Sequence, residues 1–349
     1  MKKMVEFRTG NMKLLLLNTL QQFSLLFPLK FLIFLSGKKV LLPFYHTVSN
    51  RTLTHLKHLY QQKTEKEFEA DLNFLLKYFQ PVSLNELLET TNKQPTKNIF
   101  HLTFDDGLSE FYHVAAPILK RKGIPATVFL NSDFVDNKEL FFRYKVSLLI
   151  EAFFQQKEKK QLIAEIFQKF HFQTNDILKA FHSINFLNTS VITPLSELLE
   201  IDFENYLESQ QPYLTTAQIE ELIAQGFTFG AHSCNHPEYY LLSFEEQLQQ
   251  TIQSVHFVTN TFELPYKVFS FPFTDFNITD RFFKTIEKQK ITDLSFGTAG
   301  LKNEIYKTHF QRIPLEMKNI SLAAENIIKR EYFYYLLKIP FGKNWYRRK

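Results

Sequence analysis

A single cysteine, Cys234, occurs in the 349-residue chain. With it alone the protein can form no intramolecular disulfide and no multi-cysteine metal cage, so a reducing compartment suits it. Tryptophan also occurs once and glycine only nine times, against 39 phenylalanines. That aromatic bulk is expected chiefly as core filler, with a share for a sugar-contacting or membrane-facing surface. No run reaches the roughly 20 apolar residues of a spanning helix, because Asn18, Gln21, Gln22 and Lys30 interrupt the apolar N-terminal stretch. Nor does a small-residue cleavage pattern follow it, which makes a cytoplasmic location, with peripheral contact at the inner face of the membrane, the expectation. Hydrophobic residues at 44% and charged residues at 22% are globular proportions and exclude a largely disordered chain.

The net charge of +5 is concentrated at the two ends. Residues 1–40 carry seven Lys or Arg against one acid and residues 338–349 carry five against none, which leaves the body net acidic. A nucleic-acid groove needs its positive charge on the body, and no binding motif is present, so nucleic acid is not an expected partner. An amphipathic segment within residues 1–39, together with the basic aromatic tail Lys343 to Lys349, suits an anionic membrane surface. The competing expectation is a helix packed on the domain beside a solvated tail.

Alternating strand and helix signals run through residues 40–320. Val40 to Tyr45 reads as a buried strand, and Phe68, Leu72, Leu75 and Phe79 recur at helical spacing before Pro81. Ile99 to Phe104, a helix from Ser109 to Lys122 with Gly123 as its cap, and Ile124 to Leu130 form a βαβ unit. Further strands are expected at Phe227 to Ala231, Lys267 to Phe271 and Thr292 to Phe296. This alternation predicts an α/β fold with a parallel sheet or barrel. Residues 138–210 lack glycine and show helical periodicity, so a helical insertion is expected there. Its expected role is packing that thickens the barrel wall, with a lid or shelf beside the site as the alternative. Residues 321–349 form a C-terminal helix and tail.

Parallel α/β folds place ligands at the carboxyl ends of their strands. Thr103-Phe104-Asp105-Asp106-Gly107 ends one strand. Two adjacent carboxylates there are costly without a cation, and a metal on one would keep the other ionised as a base; a solvated helix N-cap pair is the alternative. His232-Ser233-Cys234-Asn235-His236-Pro237 follows another strand. Its His-x3-His spacing brings two imidazoles to one ion if the backbone curls, and one carboxylate would complete the three ligands of a catalytic site with an open position. Cys234 is expected as a packing residue.

The Thr-Phe-Asp-Asp-Gly motif, the His-Ser-x-x-His motif and the Gly-Ile-Pro-Ala-Thr-Val-Phe-Leu strand between them resemble the polysaccharide deacetylase family, or NodB homology domain. The resemblance covers roughly residues 40–320. It implies a distorted (β/α) barrel and metal-dependent removal of N-acetyl groups from a sugar, with a divalent metal, most simply zinc. Carried over by motif, Asp105 resembles the general base, and Asp106, His232 and His236 the metal ligands. The stretch Leu42-Pro43-Phe44-Tyr45-His46-Thr47-Val48 resembles the Tyr-His-x-Val opening of the branch acting on poly-N-acetylglucosamine. It implies His46 as general acid, with His309 as a substitute, and a satisfied core histidine is the alternative for His46. Tyr45, with Phe276, Tyr239 and Tyr240, is a candidate to stack on a sugar ring, against the plainer reading of each as wall packing.

Phe269-Ser270-Phe271-Pro272-Phe273 resembles the family's Arg-x-Pro-Tyr stretch, but Ser270 stands where many members carry the arginine that positions the base. Arg143 and Arg312 are the candidates to replace it. The backbone N–H of Phe273 remains available for an oxyanion hole. The implied substrate is an N-acetylated glycan of a cell-surface polysaccharide or its precursor. An inactive glycan-binding or scaffold relative and an O-acetyl esterase are the alternatives, and the sequence does not fix the oligomeric state.

Overall fold

The computed structural model describes residues 23–173, 176–316 and 322–348; most of the N-terminal uncharged run lies outside them. Eight short strands form one parallel sheet: β1 (Pro43–Tyr45), β2 (Leu102–Phe104), β3 (Ala126–Leu130), β4 (Thr228–Ala231), β5 (Val268–Ser270), β6 (Leu294–Gly297), β7 (His309–Gln311) and β8 (Ile313–Pro314). Their spatial order is β7-β6-β5-β4-β3-β2-β1-β8. Only Arg312 separates β7 from β8. Its N–H bonds to the Gly297 carbonyl at 3.1 Å, and the next N–H, of Ile313, bonds to the Leu42 carbonyl at 2.8 Å. One stretch of chain thus pairs with both edges of the sheet and closes a distorted (β/α) barrel.

The expected strands at 40–45 and 99–104 each divide in two. Val40–Leu41 and Ile99–Phe100 join Gln80–Pro81 in a separate three-stranded parallel sheet. At the break in the second run, the fully buried His101 bonds through Nδ1 to the Val82 carbonyl and through Nε2 to Thr127 Oγ1, both at 2.8 Å. It is a satisfied core histidine. Helix Glu65–Tyr78 starts at a Thr64–Glu67 capping box and buries Phe68, Leu72 and Leu75 against the barrel, as their spacing predicts. Gly123, at φ 63°, ends helix Ala116–Lys122 in the left-handed conformation that suits glycine.

The insertion is helical as expected, but it does not merely thicken the wall. Helices Phe142–Gln155, Lys160–Lys169, Ile177–Ser183, Ile192–Leu199 and Phe203–Gln210 surround their own apolar core, including Leu149, Ile163, Phe181 and Leu195. The barrel core is built separately around Tyr45, Phe104, Phe229 and Phe271. The first insertion helix and the residue before it reach the site, where Phe141, Arg143 and Tyr144 line the cavity.

Candidate active site

After β2, the chain curls through two consecutive left-handed residues, Asp106 at φ 70° and Gly107 at φ 63°. A Cβ on Gly107 would lie 2.7 Å from Leu130 Cδ2, so this turn needs glycine. The curl brings both carboxylates to one cavity of about 370 Å³, lined also by His46, His232, His236, Phe141, Tyr144 and Phe273. A larger cavity of about 680 Å³ around Lys38, Lys93 and Trp345 has none of these groups.

Asp105 accepts a bidentate pair from Arg312, Nη1 to Oδ1 and Nη2 to Oδ2, each at 2.7 Å. Arg312 is fully buried and also donates to Thr103 Oγ1 at 2.9 Å and Ser270 Oγ at 2.6 Å. Its guanidinium lies 4.3 Å from the centre of the Phe44 ring. Burial would raise the Asp105 pKa, but the Arg312 charge and hydrogen bonds outweigh it and hold the carboxyl below its ordinary value. Arg312, from the β7–β8 junction, therefore orients Asp105, and Ser270 is its hydrogen-bond acceptor. Arg143 instead pairs with buried Glu238 at 2.8 Å.

Asp106 Oδ1 lies 3.2 Å from His236 Nε2 and 3.5 Å from His232 Nε2. The three donor groups offer ligand atoms all within 4.8 Å of one another. Asp106 Oδ1 is buried without a hydrogen-bond partner, whereas Oδ2 accepts from Tyr144 OH at 2.7 Å. An orphaned carboxylate oxygen facing two imidazole nitrogens fits a divalent cation, and one carboxylate with two histidines is a zinc-type donor set. His232 Nδ1 bonds to the Ser270 carbonyl at 2.8 Å, which assigns the proton to Nδ1 and turns the Nε2 lone pair toward Asp106. Burial lowers the His232 pKa to about 4 despite nearby Asp105, so the ring is neutral near pH 7. The backbone at His236 curls, with φ 56°, and its N–H bonds to Ser233 Oγ at 3.1 Å. Ser233 thus holds the turn that presents His236.

His46 lines the same cavity. Its Nδ1 lies 2.7 Å from Glu316 Oε2, and the backbone N–H groups of His46 and Thr47 donate to Glu316 Oε2 and Oε1 at 2.6 and 3.1 Å. Burial pulls the His46 pKa down, but the Glu316 hydrogen bond and charge, reinforced by Asp106 and Asp105, carry it up to about 9. Tyr60 stacks on the ring at 4.5 Å. Phe273 is left-handed at φ 55° and packs 4.6 Å from the His236 ring, at the cavity wall.

Two expectations need correction. Tyr45 is fully buried, bonds to Asp71 Oδ2 at 3.0 Å and packs against Phe68 and Phe104, so it supports the barrel wall and cannot contact substrate. His309 is no substitute acid: its ring bonds to Ser295 Oγ at 2.8 Å and Asp275 Oδ2 at 3.2 Å in a second cluster with Glu304. Cys234 stays outside both clusters, with its Sγ directed at the Gln250 carbonyl, in keeping with packing. Sequence reasoning missed Glu316, Tyr144 and Tyr60. An acid directly after the apolar Ile313-Pro314-Leu315 was the available signal for Glu316; the two tyrosines carried none.

Residues 92–292, more than half of the chain, match the family model described as polysaccharide deacetylase. The chain belongs to the polysaccharide deacetylase family. Its fold is similar to that of Streptococcus pyogenes deacetylase PplD, solved with acetate (TM-score 0.53, 16% identity, 84% of this chain and 98% of that one). It is similar too to IcaB from Ammonifex degensii (TM-score 0.52, 14% identity, the same coverage). The Bacillus subtilis (strain 168) relative YxkH is 35% identical over 77 residues, 21% of this chain and 28% of that protein. The chain thus spans little more than a quarter of that relative's length.

Proposed function

We propose that the protein hydrolyses N-acetyl groups on a sugar of a cell-surface polysaccharide or its precursor, using a divalent cation, most simply zinc. The observation that carries this reading is the unpartnered Asp106 Oδ1 facing the Nε2 atoms of His232 and His236, between a buried carboxylate and a cationic histidine. Asp106, His232 and His236 would hold the cation. Bound there, it would supply Lewis-acid chemistry, polarising a carbonyl and making water more acidic. Asp105, kept ionised and fixed in orientation by Arg312, accepts the proton of the attacking water. The Phe273 N–H stabilises the developing oxyanion. His46, held through Nδ1 by Glu316, donates the Nε2 proton to the leaving amine, whose departure frees acetate. Phe141, Phe273 and Tyr60 offer apolar faces to a sugar ring.

Acetate release from a panel of N-acetylated oligosaccharides, with and without a chelator, tests this. Release that stops with chelator and returns with zinc is expected. Equal release under both conditions contradicts the cation's role, and release only from O-acetylated sugars contradicts the amide substrate.

A further inference from the structure

Helix Leu29–Ser36 buries Leu29, Leu32 and Ile33 in the barrel core, yet its opposite face is also apolar. Phe34 is 81% exposed, and Leu26, just before the helix, 73%. Phe31 and Leu35 are exposed beside them. Phe27 stacks on Phe31 and, at 5.7 Å, on Phe333 of helix Ala324–Lys338. That second helix continues into a tail exposing Phe341, at 73%, and Trp345. Single exposed apolar side chains are ordinary on a protein surface; a group drawn from two segments packed together marks an interaction face.

The two segments that carry these side chains bring charge of one sign. No Asp or Glu occurs in residues 7–64 or 332–349. Lys30, Lys343 and Arg347 are exposed within these segments. A second copy docked on the face would bring like charges together, whereas anionic headgroups neutralise them. Aromatic and leucine side chains beside lysines on a helix too short to span a bilayer are the composition of an interfacial anchor.

We propose that helix Leu29–Ser36 and the 339–345 tail form one face that seats the protein on an anionic phospholipid leaflet. Phe31, Phe34, Phe341 and Trp345 enter the boundary between headgroups and acyl chains, and the surrounding cations meet lipid phosphates. This inference is independent of the catalytic reading.

Because Trp345 is the only tryptophan, its emission reports directly on the face. The full chain is titrated with vesicles of phosphatidylcholine containing phosphatidylglycerol, and with phosphatidylcholine alone, at low and high salt. The expected result is co-sedimentation and a blue shift with the anionic vesicles, weakened about tenfold or more by salt. Phe34→Glu combined with Phe341→Glu should reduce binding more than about tenfold, with circular dichroism and thermal melting unchanged. Should that pair fail to fold, Phe34→Ser alone is measured in the same way and should weaken binding. The proposal is overturned if the anionic vesicles neither sediment the protein nor shift the emission, or if a folded variant binds as the wild type does. It is equally overturned if ultracentrifugation shows a dimer dispersed by these substitutions in place of vesicle binding.

Discussion

The barrel contains two buried clusters built from the same kinds of group. Asp106, His232 and His236 form one, and Asp275, Glu304 and His309 the other; each brings its donor atoms within 4.8 Å. What differs is the cation. In the second cluster Arg348 donates through Nη2 to Asp275 Oδ2 at 2.7 Å and Glu304 Oε1 at 2.6 Å, with its side chain fully buried. Its guanidinium also stacks on Phe283 at 3.8 Å. In the first cluster, among the described residues, no arginine bonds to Asp106, and Oδ1 is left without a hydrogen-bond partner. Ligand-like spacing therefore does not separate the two clusters; the unpartnered Asp106 oxygen between two imidazoles does, and it is the ground for proposing the cation there. The second cluster anchors the C-terminal tail.

Substitutions can break this contrast, starting where the effect is greatest. Asp106→Asn should bring acetate release close to background, measured as kcat/KM, since it weakens the only carboxylate of the donor set. Asp105→Asn should reduce kcat by about 10²–10⁴-fold, the usual range for a general base, while bound metal remains. Glu316→Gln acts through His46. Raised to about 9, this ring is protonated at neutral pH, and its proton is lost as pH rises through that value. Without the Glu316 charge, burial dominates and the alkaline limb of the pH–rate profile should move to lower pH. A limb that stays in place would remove His46 as the acid.

Arg348→Met should have the smallest catalytic effect. It should leave metal content unchanged but lower stability by about 3–5 kcal/mol, because it strands buried carboxylates. Burial opposes ionisation of Asp275, but His309 and Arg348 outweigh it and keep the carboxyl below its ordinary value. The native pairing thus stabilises the fold above the unfolded carboxyl pKa of about 3.9, and that contribution fades as pH falls further. Denaturant melts of wild type and variant at neutral and acid pH would show the gap narrowing.

The βαβ unit around Asp105 and the four residues at 105, 106, 232 and 236 were legible because turn-forming and polar residues follow uninterrupted apolar runs. The closing strand was not. Its two short pieces flank a charged residue, Arg312, whose burial depends on Asp105 more than 200 positions earlier in the chain. Tyr45 was misread for a simpler reason. Successive strand residues point to opposite faces, so once His46 takes the cavity, Tyr45 belongs to the wall. Tyr144 lies on an ordinary amphipathic helix, and only the packing of the insertion against the barrel brings its hydroxyl to Asp106.

The most direct test is elemental analysis of the purified protein beside its Asp106→Asn and Asp275→Asn variants. The account predicts about one zinc or similar divalent ion per wild-type chain, its loss from Asp106→Asn and its retention in Asp275→Asn. Metal that persists in Asp106→Asn, or that disappears from Asp275→Asn alone, would contradict it.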